Sequence, residues 1–254
     1  MKPIRKSAGP VSFVNFANNN PNADWINFRK SKARYKAACK IIRSDQRGIC
    51  AYCEIDLMEP VDAGKLPDFR IDHFHPKSPF IPPKNWALDW NNLLGVCHGG
   101  SQRDVQDAAR FTSPDVCCDV PKENNNWDGV ILNPLSDIPL YPRLFEFNEA
   151  SGSILVDKKI CPIELHQKAS ETIDKLKLDA FRLTEMRVAV MSELGAQINS
   201  RVEEGLSWDE AATEISAVLF SDVDSDPWPA FFTCIRWYLG AAAEDRLQSV
   251  GFQG

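Results

Sequence analysis

Between Cys50 and Asp119 the chain keeps returning to side chains that bind metal ions. The run opens with Cys50-Ala51-Tyr52-Cys53 and passes through Arg70-Ile71-Asp72-His73-Phe74-His75-Pro76-Lys77 and Trp90-Asn91-Asn92-Leu93. It then reaches Cys97-His98 and closes on Cys117-Cys118-Asp119. Five of the eight cysteines and three of the four histidines fall inside it. Prolines 60, 67, 76, 79, 82 and 83 forbid long helices there, because proline lacks the amide donor and its ring clashes with the preceding turn. A segment so short of regular structure needs an external staple, and a metal ion can supply one.

Cys50 and Cys53 form half of a zinc site. A two-residue gap lets one tight turn present two thiolates to one ion. The second half is irregular, since Cys97 is followed by His98-Gly99-Gly100 rather than by another cysteine three positions on. The expected set around a structural Zn²⁺ is Cys50, Cys53, Cys97 and Cys118, with His98 and Cys117 in reserve. A redox role for Cys50 and Cys53 would call for a thioredoxin-like strand-helix context that the sequence does not offer. Cys39, Cys161 and Cys234 sit in helical or apolar settings and read as core residues.

Asp72-His73 suggests a second, more open site. A carboxylate suits Mg²⁺ or Mn²⁺, and a neutral imidazole can take a proton from water. Neighbouring side chains of a regular strand point to opposite faces, so both can serve one site only at a bend or a strand end. Taken alone, an Asp-His step is more often a hydrogen-bonded turn; the flanking cysteines shift the weight towards chemistry.

At 254 residues and 44% apolar, the chain fits one large domain or two small ones. It has no apolar run of about eighteen residues to span a bilayer. Nothing resembles an export signal, so the expectation is a cytoplasmic protein whose reduced thiols bind metal. The net charge of −6 is unevenly spread: residues 1–50 hold eleven Lys/Arg against two Asp/Glu, and residues 146–254 ten against nineteen. That asymmetry suggests a local nucleic-acid surface, or else the solvated face of a helix.

Periodicity predicts one basic helix over residues 23–43 capped by Asn22, after a short strand or docking arm at 12–16. A hairpin is expected at 145–156. Helices follow at 163–176, at 179–204 capped by Asp179, from Ser207 with a capping box to Glu210, and from Asp226-Pro227. The expected divisions are an N-terminal arm and helix (1–47), a metal-binding core with the hairpin (48–160) and a helical part (161–254). Most aromatics around Trp228, Phe231 and Phe232 are expected to pack against neighbouring helices rather than anchor a partner.

The stretch 48–135 resembles the HNH, or ββα-metal, endonucleases, in which a zinc-binding CxxC precedes an Asp-His step at a strand end. It matches through Cys50-x-x-Cys53, Asp72-His73, Asn92-Leu93, Cys97 and Cys118-Asp119. The resemblance implies an α+β fold and hydrolysis of phosphodiester bonds in nucleic acid, DNA in the first instance. His73 would be the general base, Asp72 a ligand of the catalytic Mg²⁺ or Mn²⁺, and Asn92 the brace that orients His73. Asp119 would be the second ligand, supplied by a helix, at a position where the family usually has His or Asn. Lys77 and Lys122 would meet phosphates. Asp72-His73-Phe74-His75-Pro76-Lys77-Ser78, Cys97-His98-Gly99-Gly100 and Cys118-Asp119-Val120-Pro121-Lys122 also resemble a narrower bacterial group. This group, the PtuB-type nucleases, serves in Septu and retron-associated anti-phage defence. That resemblance implies a PtuA-type ATPase partner. A different class of function, a catalytically idle zinc-stapled nucleic-acid adaptor, would share the cysteines but never cleave.

Overall fold

The Asn-rich N-terminal stretch is helical. The apolar residues at 12–16 suit a strand or docking arm equally well in sequence, but they form α1 (Val11–Asn19). The helix buries Phe13 edge-on against Phe28 and Trp90, at 5.0 and 5.1 Å between ring centroids. The structure, a computed structural model, describes residues 1–254 except Pro60, Val61, Ala63, Ile81 and 222–226. The helix breaker expected at Pro60 and the helix start expected at Asp226 therefore lie outside the described residues.

The single basic helix expected over 23–43 is two helices, α2 (Trp25–Arg29) and α3 (Lys32–Asp45). The break lies at Ser31, whose side chain accepts the Arg34 amide and so caps a fresh helix. The Arg34 guanidinium folds back onto the Asn27 and Phe28 carbonyls, which a continuous helix would have used internally. Asp24, rather than Asn22, caps α2 by accepting the Asn27 amide.

β1 (Arg70–His73) pairs antiparallel with β2 (Leu93–Val96), setting Asp72 opposite Leu94 and His73 opposite Leu93. α3 packs across β2 at Gly95, where even a methyl group would come within 2.7 Å of the Phe69 ring. Gln46, fully buried at the end of α3, welds the two together. Its amide donates to the carbonyls of Gly95 and Ile49 at 2.7 and 2.9 Å, and its oxygen accepts the Gly95 amide at 2.7 Å. Gln46→Ala should strand these three backbone groups away from water and cost roughly 2–4 kcal/mol, read as a lowered urea midpoint.

The hairpin forms as expected from β3 (Phe145–Phe147) and β4 (Ile154–Val156), with Asn148 accepting the Ala150 and Ser151 amides in its turn. Beyond a short 3₁₀ turn come α4 (His166–Lys175), α5 (Phe181–Glu203), α6 (Trp208–Leu219), α7 (Phe232–Leu239) and α8 (Ala241–Ser249). Ser207 and Glu210 form the expected capping box of α6. Asp179 does not cap α5: its carboxylate accepts the Ile154 amide, so the helix end serves to pin the hairpin. α7 and α8 part at Gly240, which takes a positive φ of 57°.

Two small antiparallel sheets and eight α-helices among the described residues make a mixed α+β protein. The larger core draws on all three expected segments, with Phe28, Leu94, Leu132 and Leu183 in one cluster. A smaller core joins Leu194, Ile215, Phe220, Trp228, Phe232 and Leu247. The C-terminal aromatics therefore point inward, as expected. No helix among the described residues is long and apolar enough to cross a membrane.

Candidate metal centre and catalytic cleft

A tight turn supplies the first two thiols. Cys50 donates its amide to the Ile55 carbonyl and accepts the Glu54 amide, and Glu54 takes a left-handed φ of 63° to close the loop. β2 ends at Val96 and delivers Cys97, whose amide donates to the Cys50 sulfur at 3.4 Å. Cys118 arrives from a later loop, also left-handed, with φ 62°. The four sulfurs of Cys50, Cys53, Cys97 and Cys118 lie within 4.8 Å of one another, and all four residues are buried. Neighbouring pairs stand 3.6, 3.7 and 3.9 Å apart. A tetrahedral zinc with bonds of about 2.3 Å would set its sulfurs about 3.8 Å apart, so the cage fits that ion.

His98 stays outside this set. Cys117 stands beside it, its sulfur 3.5 Å from that of Cys118, and accepts a hydrogen bond from Arg182 at 3.2 Å. The same guanidinium reaches the Cys97 sulfur at 3.5 Å and the Arg110 carbonyl at 2.9 Å. Burial pushes the thiols of Cys50, Cys53 and Cys118 up. A buried arginine beside the cage is the countercharge that a bound tetrathiolate would need. Nothing in the local sequence marks Arg182, because it belongs to α5.

β1 ends at His73, which lets Asp72 and His73 line one cleft of about 480 Å³ together with Arg70, Lys77, Asp119 and Glu123. Asp72 is held on two sides. Tyr52 donates its hydroxyl to Oδ2 at 2.7 Å, and the Lys122 ammonium sits 3.3 Å from Oδ1. Asp119 accepts from the Arg70 guanidinium at 2.6 Å. Burial and then the charge of Asp72 push the Asp119 carboxyl up to about 7. Two buried carboxylates that repel each other suit a hard divalent cation, which commonly takes one or two protein carboxylates and completes its shell with water and phosphate oxygens.

His73 packs its ring edge-on against Trp25, with centroids 4.6 Å apart. Its Nε2 lies 3.2 Å from the Ala87 carbonyl, which can only accept, so Nε2 carries the proton and Nδ1 keeps its lone pair. Burial, and then the charge of Lys77, push this imidazole down to about 3, leaving it neutral at cellular pH. Asn92 clamps the chain just beyond, accepting the His75 amide at 2.7 Å and donating to the His75 and Trp86 carbonyls at 2.9 Å. It thus ties the chain just beyond His73 to the loop that carries the Ala87 carbonyl, through His75 and Trp86.

Two family expectations are altered. Residues 118–124, where the resemblance implies a helix carrying Asp119, form consecutive turns with one i to i+4 bond, from the Glu123 amide to the Asp119 carbonyl. Pro121 and the left-handed Cys118 and Glu123 keep that turn from extending. Lys122 is also fully buried, donating to the His73 carbonyl at 2.7 Å as well as facing Asp72, so it is a strut of the site rather than a phosphate contact. Lys77 is exposed at the rim of the cleft, where a phosphate could reach it.

No family model matches the chain. A protein of Escherichia coli named "Retron Ec83 putative HNH endonuclease" is 33% identical to it over 209 residues, covering 74% of this chain and 78% of that one. The chain belongs to the HNH endonuclease family. Of the residues that the resemblance named, the structure brings Asp72, His73 and Asp119 to one cleft and places Asn92 in the loop beside it. Tyr52, Arg70, Trp25 and the Ala87 carbonyl are the supports that motif reading does not find.

Proposed function

We propose that the protein is a metal-dependent endonuclease that hydrolyses phosphodiester bonds of DNA. The carrying observation is the placement of His73 in one cleft with Asp72 and Asp119, its Nε2 3.2 Å from the Ala87 carbonyl, which leaves Nδ1 as the nitrogen able to accept. Such a ring can take a proton from a water molecule as that water attacks phosphorus. Asp72 and Asp119 would hold a divalent cation, Mg²⁺ or Mn²⁺, whose charge stabilises the phosphorane-like transition state and the leaving oxygen. The Ala87 carbonyl and Trp25 keep the imidazole from turning, Asn92 braces the loop that carries that carbonyl, and Lys77 at the rim can hold a neighbouring phosphate. The buried cysteine cage, taken as a structural Zn²⁺ site, fixes Tyr52 and Cys118, and with them both acidic groups of the cleft.

The retron name of the E. coli relative supports a place in anti-phage defence. The PtuB-type motifs support an ATPase of PtuA type as partner, acting in the cytoplasm. The reading is tested by incubating supercoiled plasmid with wild-type and Asp119→Ala protein in Mg²⁺ or Mn²⁺. Wild type should nick or linearise the plasmid. Asp119→Ala should be slower by at least about tenfold, with its zinc content unchanged. Equal cleavage by the two proteins would remove Asp119 from the reaction. Binding without cleavage under any metal would favour the adaptor.

A further inference from the structure

A groove of about 880 Å³ runs along α3, larger than the catalytic cleft. Tyr35, Cys39, Pro67 and Phe69 give it an apolar floor, and Lys36, Lys40 and Arg43 stand among its walls. Arg43 lies over the Phe69 ring, 4.8 Å from its centroid, and also pairs with the exposed Glu59. Lys32, Lys36 and Lys40 recur every fourth residue and are exposed, and among the described residues none of them is in an ion pair. On a helix that spacing sets cations about 6 Å apart along one slowly turning stripe. The groove lies near the catalytic cleft: Tyr35 stands edge-on to Trp25 at 6.2 Å, and Trp25 packs against His73 at 4.6 Å. Phe69 lines the one, Arg70 and Ile71 line the other, and the Tyr35 hydroxyl faces the Ile71 backbone.

Resting on the nuclease reading, we infer that this groove binds a single-stranded stretch of the nucleic acid flanking the scissile phosphate. Its phosphates follow Lys32, Lys36 and Lys40, and its unpaired bases enter the apolar channel beside Tyr35 and the Arg43–Phe69 stack. A paired duplex presents phosphates but keeps its base faces stacked inside, so it could use the lysine stripe and not the floor. An unpaired strand can use both, and base stacking on aromatic or guanidinium planes is sequence-tolerant. Single-strand recognition at this place would let the enzyme select frayed, displaced or gapped DNA, with the strand leading from the groove past Phe69 to His73.

The test is fluorescence anisotropy with a labelled single-stranded oligonucleotide and its duplex, without added divalent metal, on wild type and the Lys36→Glu/Lys40→Glu double variant. Both lysines are exposed, so the fold should survive, as thermal melting will verify. The expected result is single-strand affinity at least tenfold weaker in the variant. The slope of log affinity against log salt should shrink by about 1.4, for two lost phosphate contacts at roughly 0.7 each. Wild type should prefer the single strand over the duplex. Affinity within twofold of wild type, with plasmid cleavage intact, overturns the groove and leaves the nuclease reading standing. Tighter duplex binding that the variant also loses makes the duplex the occupant and overturns the inference. Wild-type protein that neither binds nor cleaves nucleic acid overturns both.

Discussion

Cys97→Ser should abolish zinc binding by the cysteine cage and unfold the segment that the cage gathers. The expected readings are one zinc per wild-type chain by elemental analysis, well below one in the variant, and a variant that aggregates or melts without a cooperative transition. The size of the effect follows from the local structure. From Cys50 to Arg70, and again from Cys97 to Cys118, the described chain runs in turns, bridges and a 3₁₀ turn with no longer element. The cysteine cage is what gathers these loops. Structural zinc sites contribute about 10–16 kcal/mol in small peptide systems, against a net stability of about 5–15 kcal/mol for a whole domain. A loss on that scale is comparable with the whole net stability of a domain. Without the ion, burial pushes the thiols of Cys50, Cys53 and Cys118 up, while hydrogen bonds from the neighbouring thiols hold Cys97 well below the ordinary thiol range, so the cage gathers its charge on the residue that Cys97→Ser removes. Cys161→Ser is the control: that thiol is buried far along the chain, outside the cage, and its loss should leave zinc content unchanged. Cys117→Ser separates ligand from neighbour. If Cys117 only receives Arg182, zinc stays at one per chain; if zinc falls as it does in Cys97→Ser, the assignment of Cys118 is wrong.

The cage was legible because its chemistry is local and rare. Cys50 and Cys53 announce half a site, and few other thiols lie in loops that could complete it. That Asp72 and His73 line one cleft depends on strand termination at His73, the geometry that alternation alone forbade. The supports were not legible, because their meaning is tertiary. Arg182 lies 64 residues beyond Cys118, and nothing in its helix distinguishes it from Arg187, which instead donates to the Gly152 and Leu178 carbonyls. Lys122 read as a phosphate contact because lysines near motifs usually face solvent; burial against Asp72 and the His73 carbonyl reverses that. Helix boundaries failed where side chains had two uses. Ser31 could continue a helix or cap one, and Asp179 could cap α5 or hold the hairpin. Competition of this kind between side chain and backbone is decided by packing that the sequence pattern does not show.

His73→Gln should reduce cleavage by about 10²–10⁴-fold, the usual worth of a positioned general base, while zinc content stays at the wild-type value. Glutamine is the informative choice. Its amide can still donate to the Ala87 carbonyl and its stem can still pack near Trp25, so the cavity that alanine would open is avoided. It has no basic nitrogen, however, so proton uptake from the attacking water is lost while the fold is kept. His73→Ala should show the same chemical defect together with a lower melting temperature, because a buried ring is removed. The two variants therefore part stability from chemistry. Equal loss of cleavage in both, with only the alanine variant melting earlier, assigns proton transfer to His73. Near-normal cleavage by His73→Gln would mean that the imidazole is scaffolding beneath Trp25, and the base would have to be sought among the other groups lining the cleft, with Glu123 first.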